Sequence, residues 1–209
     1  MTRLVRDLAS RLAKDVEFVT SGAETELDRT LVESIGDPLV HMVRNAVDHG
    51  LETPADRAKA GKSTTGRVEL KAFHQGGSIV IQIVDDGKGL NKKRILQKAI
   101  DAGIVAPGAE LPDEQIFQLI FHAGLSTAEK VTEVSGRGVG MDVVRKNIEA
   151  LRGRVEIASV EGKGSTFTIR LPLTLAIIEG LVVRVGDEKF IVPLGNIDQS
   201  LRPTPDQLN

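Results

Sequence analysis

The run from Asp37 to Gly50 carries five polar side chains whose types could do more than meet solvent: His41, Arg44, Asn45, Asp48 and His49. At roughly 100° per residue they gather on one side of a helix, opposite Leu39, Val40, Val43, Ala46 and Val47. A solvated polar face is the plain alternative. Against it, Asn is a poor interior helix residue, and two His beside an Asp are a costly choice where Glu and Lys would serve. An Asn carbonyl can ligate Mg²⁺, a hard ion that keeps waters and takes phosphate oxygens as its remaining ligands. Zinc fits less well, because His41 and His49 lie eight residues apart and lack the i, i+4 pairing of a zinc helix.

Two further stretches carry chemistry. Ile79-Val-Ile-Gln-Ile-Val84 reads as a strand and runs into Asp85-Asp-Gly-Lys-Gly89. Asp-Gly is by itself a turn signal. Here a carboxylate at a strand end meets Gly87 and Gly89, which let a flat ring approach the backbone. A carboxylate accepts the amine of adenine and has nothing to offer the carbonyl of guanine. Ser135-Gly-Arg-Gly-Val-Gly140 opens directly into a helical run from Met141 to Leu151. Backbone amides at a helix start form an anion site, and glycines remove the side chains that would block phosphate. No strand leads into this turn and a third Gly is missing at the required place, so it is not a dinucleotide fingerprint. Nor is Gly61-Lys-Ser63 a P-loop, since Asp56 stands where that motif needs Gly.

The elements that must hold these residues follow from periodicity. Leu4 to Ala13 reads as a helix and Val16 to Val19 as a short strand. Asp37 and Pro38 have the form of an N-cap and first helical residue, with Gly50 as the stop. Arg67 to Phe73 and Ser78 to Val84 form one hairpin around His74 to Gly77; Val155 to Val160 and Ser165 to Leu171 form another around Glu161 to Gly164. Between Asn91 and Ser135 lies an excursion with helical pieces and few anchoring apolar residues, the form of a lid or binding loop. Together these predict an α+β two-layer sandwich: a mixed, mostly antiparallel sheet with helices on one face. Pro172 is a natural boundary, beyond which Gly180 to Val185 and Lys189 to Pro193 read as a hairpin with too little chain to close a second core.

Composition narrows the classes. Lys and Arg number 27 against 29 acidic residues, a formal charge of −2, so there is no general pull toward nucleic acid or anionic membrane. With no Trp or Tyr the stacking platform for single-stranded nucleic acid is missing. The chain has no Cys, which removes disulfides and thiolate metal sites and fits a reducing compartment. No apolar run approaches the ~18 residues of a membrane span, and the polar start has no signal-peptide core. A cytoplasmic protein without membrane insertion is expected.

Asn45 on a helix, Asp85-x-Gly87-x-Gly89 after a strand and Gly136-x-Gly138-x-Gly140 opening a helix form an ordered trio. It resembles the superfamily of gyrase, Hsp90, histidine kinase and MutL ATPases, and so implies their Bergerat-type ATP-binding fold. Within that group, Pro38 to Gly50 and Ser135 to Val144 resemble the chemotaxis histidine kinases over nearly the whole chain. The resemblance implies the end of a dimerisation helix at residues 1–14, an ATP-binding domain at 15–172, and the first part of a CheW-like regulatory domain at 173–209.

The resemblance further implies that Asn45 ligates Mg²⁺, that Asp85 reads adenine between Gly87 and Gly89, and that Thr166 supports the ring, with an ordinary strand Thr as the alternative. Gly136, Gly138, Gly140 and Met141 would wrap the phosphates of ATP. Asp48 would belong to the same pocket, and Arg44, His49, Arg94 and Lys98 would offer polar or positive groups near the phosphates. Arg94 and Lys98 read equally well as a solvated i, i+4 face. Phe121 to Thr127 corresponds to the segment beneath the lid, with Ser126 as a phosphate contact; Ala123, Leu125 and Ala128 depart from the family pattern there. The implied partners are a phosphotransfer domain bearing the acceptor His, a CheW-like adaptor with chemoreceptors, and a downstream response regulator. The parent would be a homodimer and this stretch of it a monomer.

Where hydrolytic members of the superfamily have a Glu four residues before the Asn, this chain has His41. Slow hydrolysis and transfer to an external nitrogen are therefore expected, with His41 positioning the acceptor or relaying its proton. An ATPase switch of the gyrase or MutL kind is the main alternative. A nucleotide-binding scaffold without transfer activity is the second.

Overall fold

The computed structural model describes residues 1–25, 27–125, 140–173, 180–193 and 197. The chain divides into two compact units, Met1–Leu173 and Thr174–Asn209.

In the first unit a five-stranded sheet is built from β1 (Asp15–Ser21), β2 (Thr65–Gln75), β3 (Ser78–Asp85), β4 (Arg154–Val160) and β5 (Gly164–Pro172). Their spatial order is β1-β2-β3-β5-β4. Only the β1–β2 pair is parallel; the other three pairs are antiparallel. This agrees with the mixed, mostly antiparallel sheet that alternation predicts. Gln75 pairs with Ser78 across the tight Gly76-Gly77 turn, which sets the β2–β3 register.

One face of the sheet is apolar. Ile79, Ile81 and Ile83 of β3, Phe167, Ile169 and Leu171 of β5, and Val155 and Ile157 of β4 all enter the core, as alternation requires. The intervening residues are largely polar; on that face Gln82 donates to the Thr168 hydroxyl and Arg170 to Glu156. Helices cover the apolar face: α1 (Thr2–Arg11), α2 (Arg29–Asn45), α3 (Pro54–Lys59), α4 (Lys92–Asp101), α5 (Asp113–Gln118) and α6 (Met141–Ala150). A π-turn over Ala46–Gly50 continues α2, and a short 3₁₀ turn over Leu119–Phe121 continues α5. None of the described helices is long and apolar enough to cross a membrane.

Two expectations require correction. Helix α2 does not start at Asp37; it starts after Asp28, whose carboxylate caps the Thr30 amide at 2.8 Å, and Pro38 sits inside it with its ring buried. An interior Pro costs about 3 kcal/mol. Burial of Leu31, Ile35, Met42, Val43, Ala46 and Val47 along one stripe outweighs that, since each large aliphatic side chain contributes about 1.5–3 kcal/mol. Proline also deprives the Ser34 carbonyl of its i+4 donor, but Ser34 is exposed and water can serve. The second correction concerns the excursion after Asn91, whose described part, to Leu125, is well anchored: Ile95, Ala99, Ile116, Phe117, Ile120, Phe121 and Leu125 are all core residues.

The second unit contains β6 (Gly180–Val185) and β7 (Glu188–Pro193), an antiparallel hairpin with Leu181, Val182, Val185, Phe190 and Ile191 exposed.

Candidate functional site

Asp85 is the last residue of the row Ile79, Ile81, Ile83, and alternation therefore turns it toward the helices instead of toward water. It is 4% exposed. Its Oδ1 accepts from the Gly87 amide at 3.0 Å. Burial pushes its carboxyl up to about 6; the Gly87 and Ser165 backbone N–H groups pull the other way, while Asp86 and Glu52 add to the rise. A carboxylate in so dry a site is a strong acceptor for the N–H group of a ligand.

Close backbone approach shapes its surroundings. A Cβ on Gly50 would stand 3.4 Å from the Asp85 carboxylate, so the end of the π-turn lies directly against it. At Gly87 a Cβ would fall 2.1 Å from the Gly50 carbonyl oxygen, and only glycine fits between strand end and π-turn. Gly164, with φ +113°, would meet the Asp85 carbonyl at 1.9 Å if it carried a side chain.

Asn45 is the last residue of α2 and is half-buried. Its Nδ2 donates to Met141 Sδ at 3.2 Å, which leaves its carbonyl oxygen to face another partner. Gly140 is the N-cap of α6, so Asn45 stands beside that helix's start. One helix end thus adjoins the α6 start through Asn45 and the Asp85 carboxylate through Gly50.

The other polar residues of this helix sit nearby. His41 is half-buried one turn before Asn45, and burial lowers its pKa, helped by the positive Arg44 and by His49. Its imidazole is neutral near pH 7. His49 Nε2 lies 3.7 Å from Asp48 Oδ2, both on the π-turn. Arg94 and Lys98 stand at i, i+4 on α4, Arg94 exposed and Lys98 half-buried. The Gly89 loop is stitched to the β4–β5 turn: Leu90 N donates to Ser159 Oγ and Gly162 N to the Lys88 carbonyl. Ser126, Gly136 and Gly138 lie outside the described residues.

Thr166 pairs with Val84 and Ala158 and shares their face of the sheet, while Asp85 is on the other. Its neighbour Ser165 pairs with Asp85, is 6% exposed, and has its hydroxyl 3.0 Å from Ser159 Oγ. Sequence reasoning also passed over Lys14, whose Nζ donates to the carbonyls of Val47, Asp48 and Leu51 at 2.8, 2.6 and 2.8 Å. An ammonium there satisfies carbonyls that a π-turn leaves open at its end. Burial lowers the pKa of Lys14, with Asp48 opposing.

Residues 35–175 match the family described as histidine kinase-, DNA gyrase B- and HSP90-like ATPase. The chain belongs to this family. Membership in it carries ATP binding. The ATPase-family chain is also 51% identical over 203 residues to the chemotaxis protein CheA of Rhizobium meliloti (strain 1021), covering 97% of this chain and 27% of that protein. It is 53% identical over 207 residues to CheA of Salmonella typhimurium (strain LT2), covering 99% and 31%. To CheA of Bacillus subtilis (strain 168) it is 48% identical over 197 residues, covering 93% and 29%. It thus spans about three-tenths of the length of these relatives.

Proposed function

We propose that this chain is the ATP-binding catalytic domain of a cytoplasmic chemotaxis histidine kinase, which passes the γ-phosphoryl of Mg·ATP to a His on a separate phosphotransfer domain. The observation that carries this reading is the α2 end, where Asn45 adjoins the start of α6 and Gly50 adjoins the buried Asp85 carboxylate. About half-identity to CheA proteins over nearly the whole chain favours transfer over the gyrase-like or MutL-like switch.

Asp85 accepts the adenine amine, with the Gly87 peptide against the ring and Ser165 beside it. The Gly140 and Met141 amides at the α6 N-terminus meet phosphate oxygens, and Arg44 and His49 add positive or hydrogen-bonding groups. Asn45 offers its amide oxygen to Mg²⁺. Among the described residues no three acidic or His side chains gather to hold an ion alone, so a cation here takes its other ligands from phosphate and water. Bound Mg²⁺ would supply charge neutralisation between the β- and γ-phosphates. Burial, with Arg44 nearby, lowers the His41 pKa and favours its neutral imidazole, which can take the proton that the acceptor imidazole releases from its other ring nitrogen as the first is phosphorylated. The adaptor, receptors, response regulator and parent dimer belong to the same proposal, as do the boundaries at 14 and 172.

Purified chain mixed with γ-labelled ATP, Mg²⁺ and a chemotaxis phosphotransfer domain should yield acid-labile label on that domain and little free phosphate without it. Rapid hydrolysis with no transfer would establish the switch reading instead.

A further inference from the structure

Beneath the Asp86-Gly87 peptides lie four charged side chains that neither the nucleotide contacts nor the family motifs use. Arg57 on α3 is 1% exposed. Its Nε donates to the Ser63 carbonyl at 2.6 Å, its Nη1 to Glu52 Oε2 and to the Asp86 carbonyl at 3.2 Å each, and its Nη2 to Asp86 Oδ2 at 2.7 Å. Lys62 Nζ donates to Glu52 Oε1 at 2.8 Å and to the carbonyls of Asp86 and Gly87 at 2.9 and 2.7 Å. Asp86 Oδ1 in turn accepts from the Arg67 amide at 2.8 Å, which anchors the group to β2.

Stability is a weak reason for such a cluster, because burying paired charges gains little over well-packed apolar residues. Its geometric effect is specific. Two cations grip the consecutive carbonyls of Asp86 and Gly87, and the Gly87 amide is the donor that holds Asp85 Oδ1. The next amide, that of Lys88, donates to the Gly50 carbonyl at 3.0 Å. Any rotation of the Asp86-Gly87 peptides would therefore turn the Asp85 carboxylate and open the gap to the π-turn.

We propose that Arg57 and Lys62 are positioning residues for base recognition, locking the Asp86-Gly87 peptides so that Asp85 is aimed at the adenine amine. This rests on Asp85 being the adenine acceptor. Neither cation touches the nucleotide; both act through the loop.

The test compares the dissociation constants of ATP and inosine triphosphate, whose ring has a carbonyl in place of the amine, by calorimetry on the 209-residue chain. The variants are Arg57→Met, Lys62→Met and, as a control, Asp85→Asn, each with its unfolding midpoint. In Arg57→Met, ATP affinity should fall roughly tenfold while inosine triphosphate changes much less, so that preference for adenine collapses. Lys62→Met should do the same more weakly, and it decides the matter should Arg57→Met fail to fold. A preference unchanged in the folded variants, whatever their midpoints, would show a merely structural cluster and overturn the proposal. Should Asp85→Asn keep the adenine preference, the acceptor assignment fails and this inference with it; if Asp85→Asn alone loses the preference, only this inference falls.

Discussion

Asp85 occupies a position in β3 that the alternation of Ile79, Ile81 and Ile83 reserves for an apolar side chain, and the protein bears a measurable cost for it. Its folded pKa is raised from 3.8 to about 6, so the associated stability is complete below pH 3.8 and is lost as the pH rises through about 6. The loss is on the order of 3 kcal/mol. His41 acts in the opposite sense, because its folded pKa is lowered and its contribution is lost as the pH falls. Subtracting urea-unfolding curves of Asp85→Asn from those of wild type between pH 4 and 8 isolates the Asp85 part, which should grow toward high pH; a flat difference would remove the buried-carboxylate account. The same variant should weaken ATP strongly, since a donor then faces the adenine amine. Asn45→Asp should reduce Mg·ATP affinity by ~100-fold, placing a charge among phosphates, while the unfolding midpoint holds; unchanged affinity by calorimetry would remove the metal assignment. At this scale Asn45 and Asp85 were legible because each breaks the rule of its own element. Ser165 was not, since a shift of one residue along a strand moves a hydroxyl to the other face, and Ser and Thr read alike.

The Asp37-Pro38 pair has the form of a helix start, and the structure shows why that form misleads. Local caps say nothing about the apolar stripe upstream, and Leu31 and Ile35 extend it past the proline. The strands, their hairpins and α6 follow from periodicity alone. Helix α3 is too short to show a period, and the Lys14 contacts span 33 to 37 residues of sequence, beyond any local pattern. That ammonium ties the segment after α1 to the π-turn between Asn45 and Asp85. Lys14→Met should cost about 2–3 kcal/mol by leaving buried carbonyls unpaired, and should weaken ATP as the π-turn relaxes. Denaturant midpoints and nucleotide titrations check both; a midpoint equal to wild type would show that water replaces the ammonium.

All described residues of the core cluster lie between Val5 and Leu171, inside the unit that ends at Leu173. A chain ending there should unfold at the same midpoint and bind ATP within about twofold of the full chain; a large loss of either would tie the second unit to the nucleotide. The central claim is that the α2–α6 contact and the Asp85 cluster serve one ligand. Backbone amide shifts measured during an ATP titration with Mg²⁺ test it most directly, at Asn45 and Met141 on one side and Gly50, Gly87 and Ser165 on the other. The account predicts that both groups move together along a single saturation curve. Movement in one group alone, or in two groups with different midpoints, would contradict it.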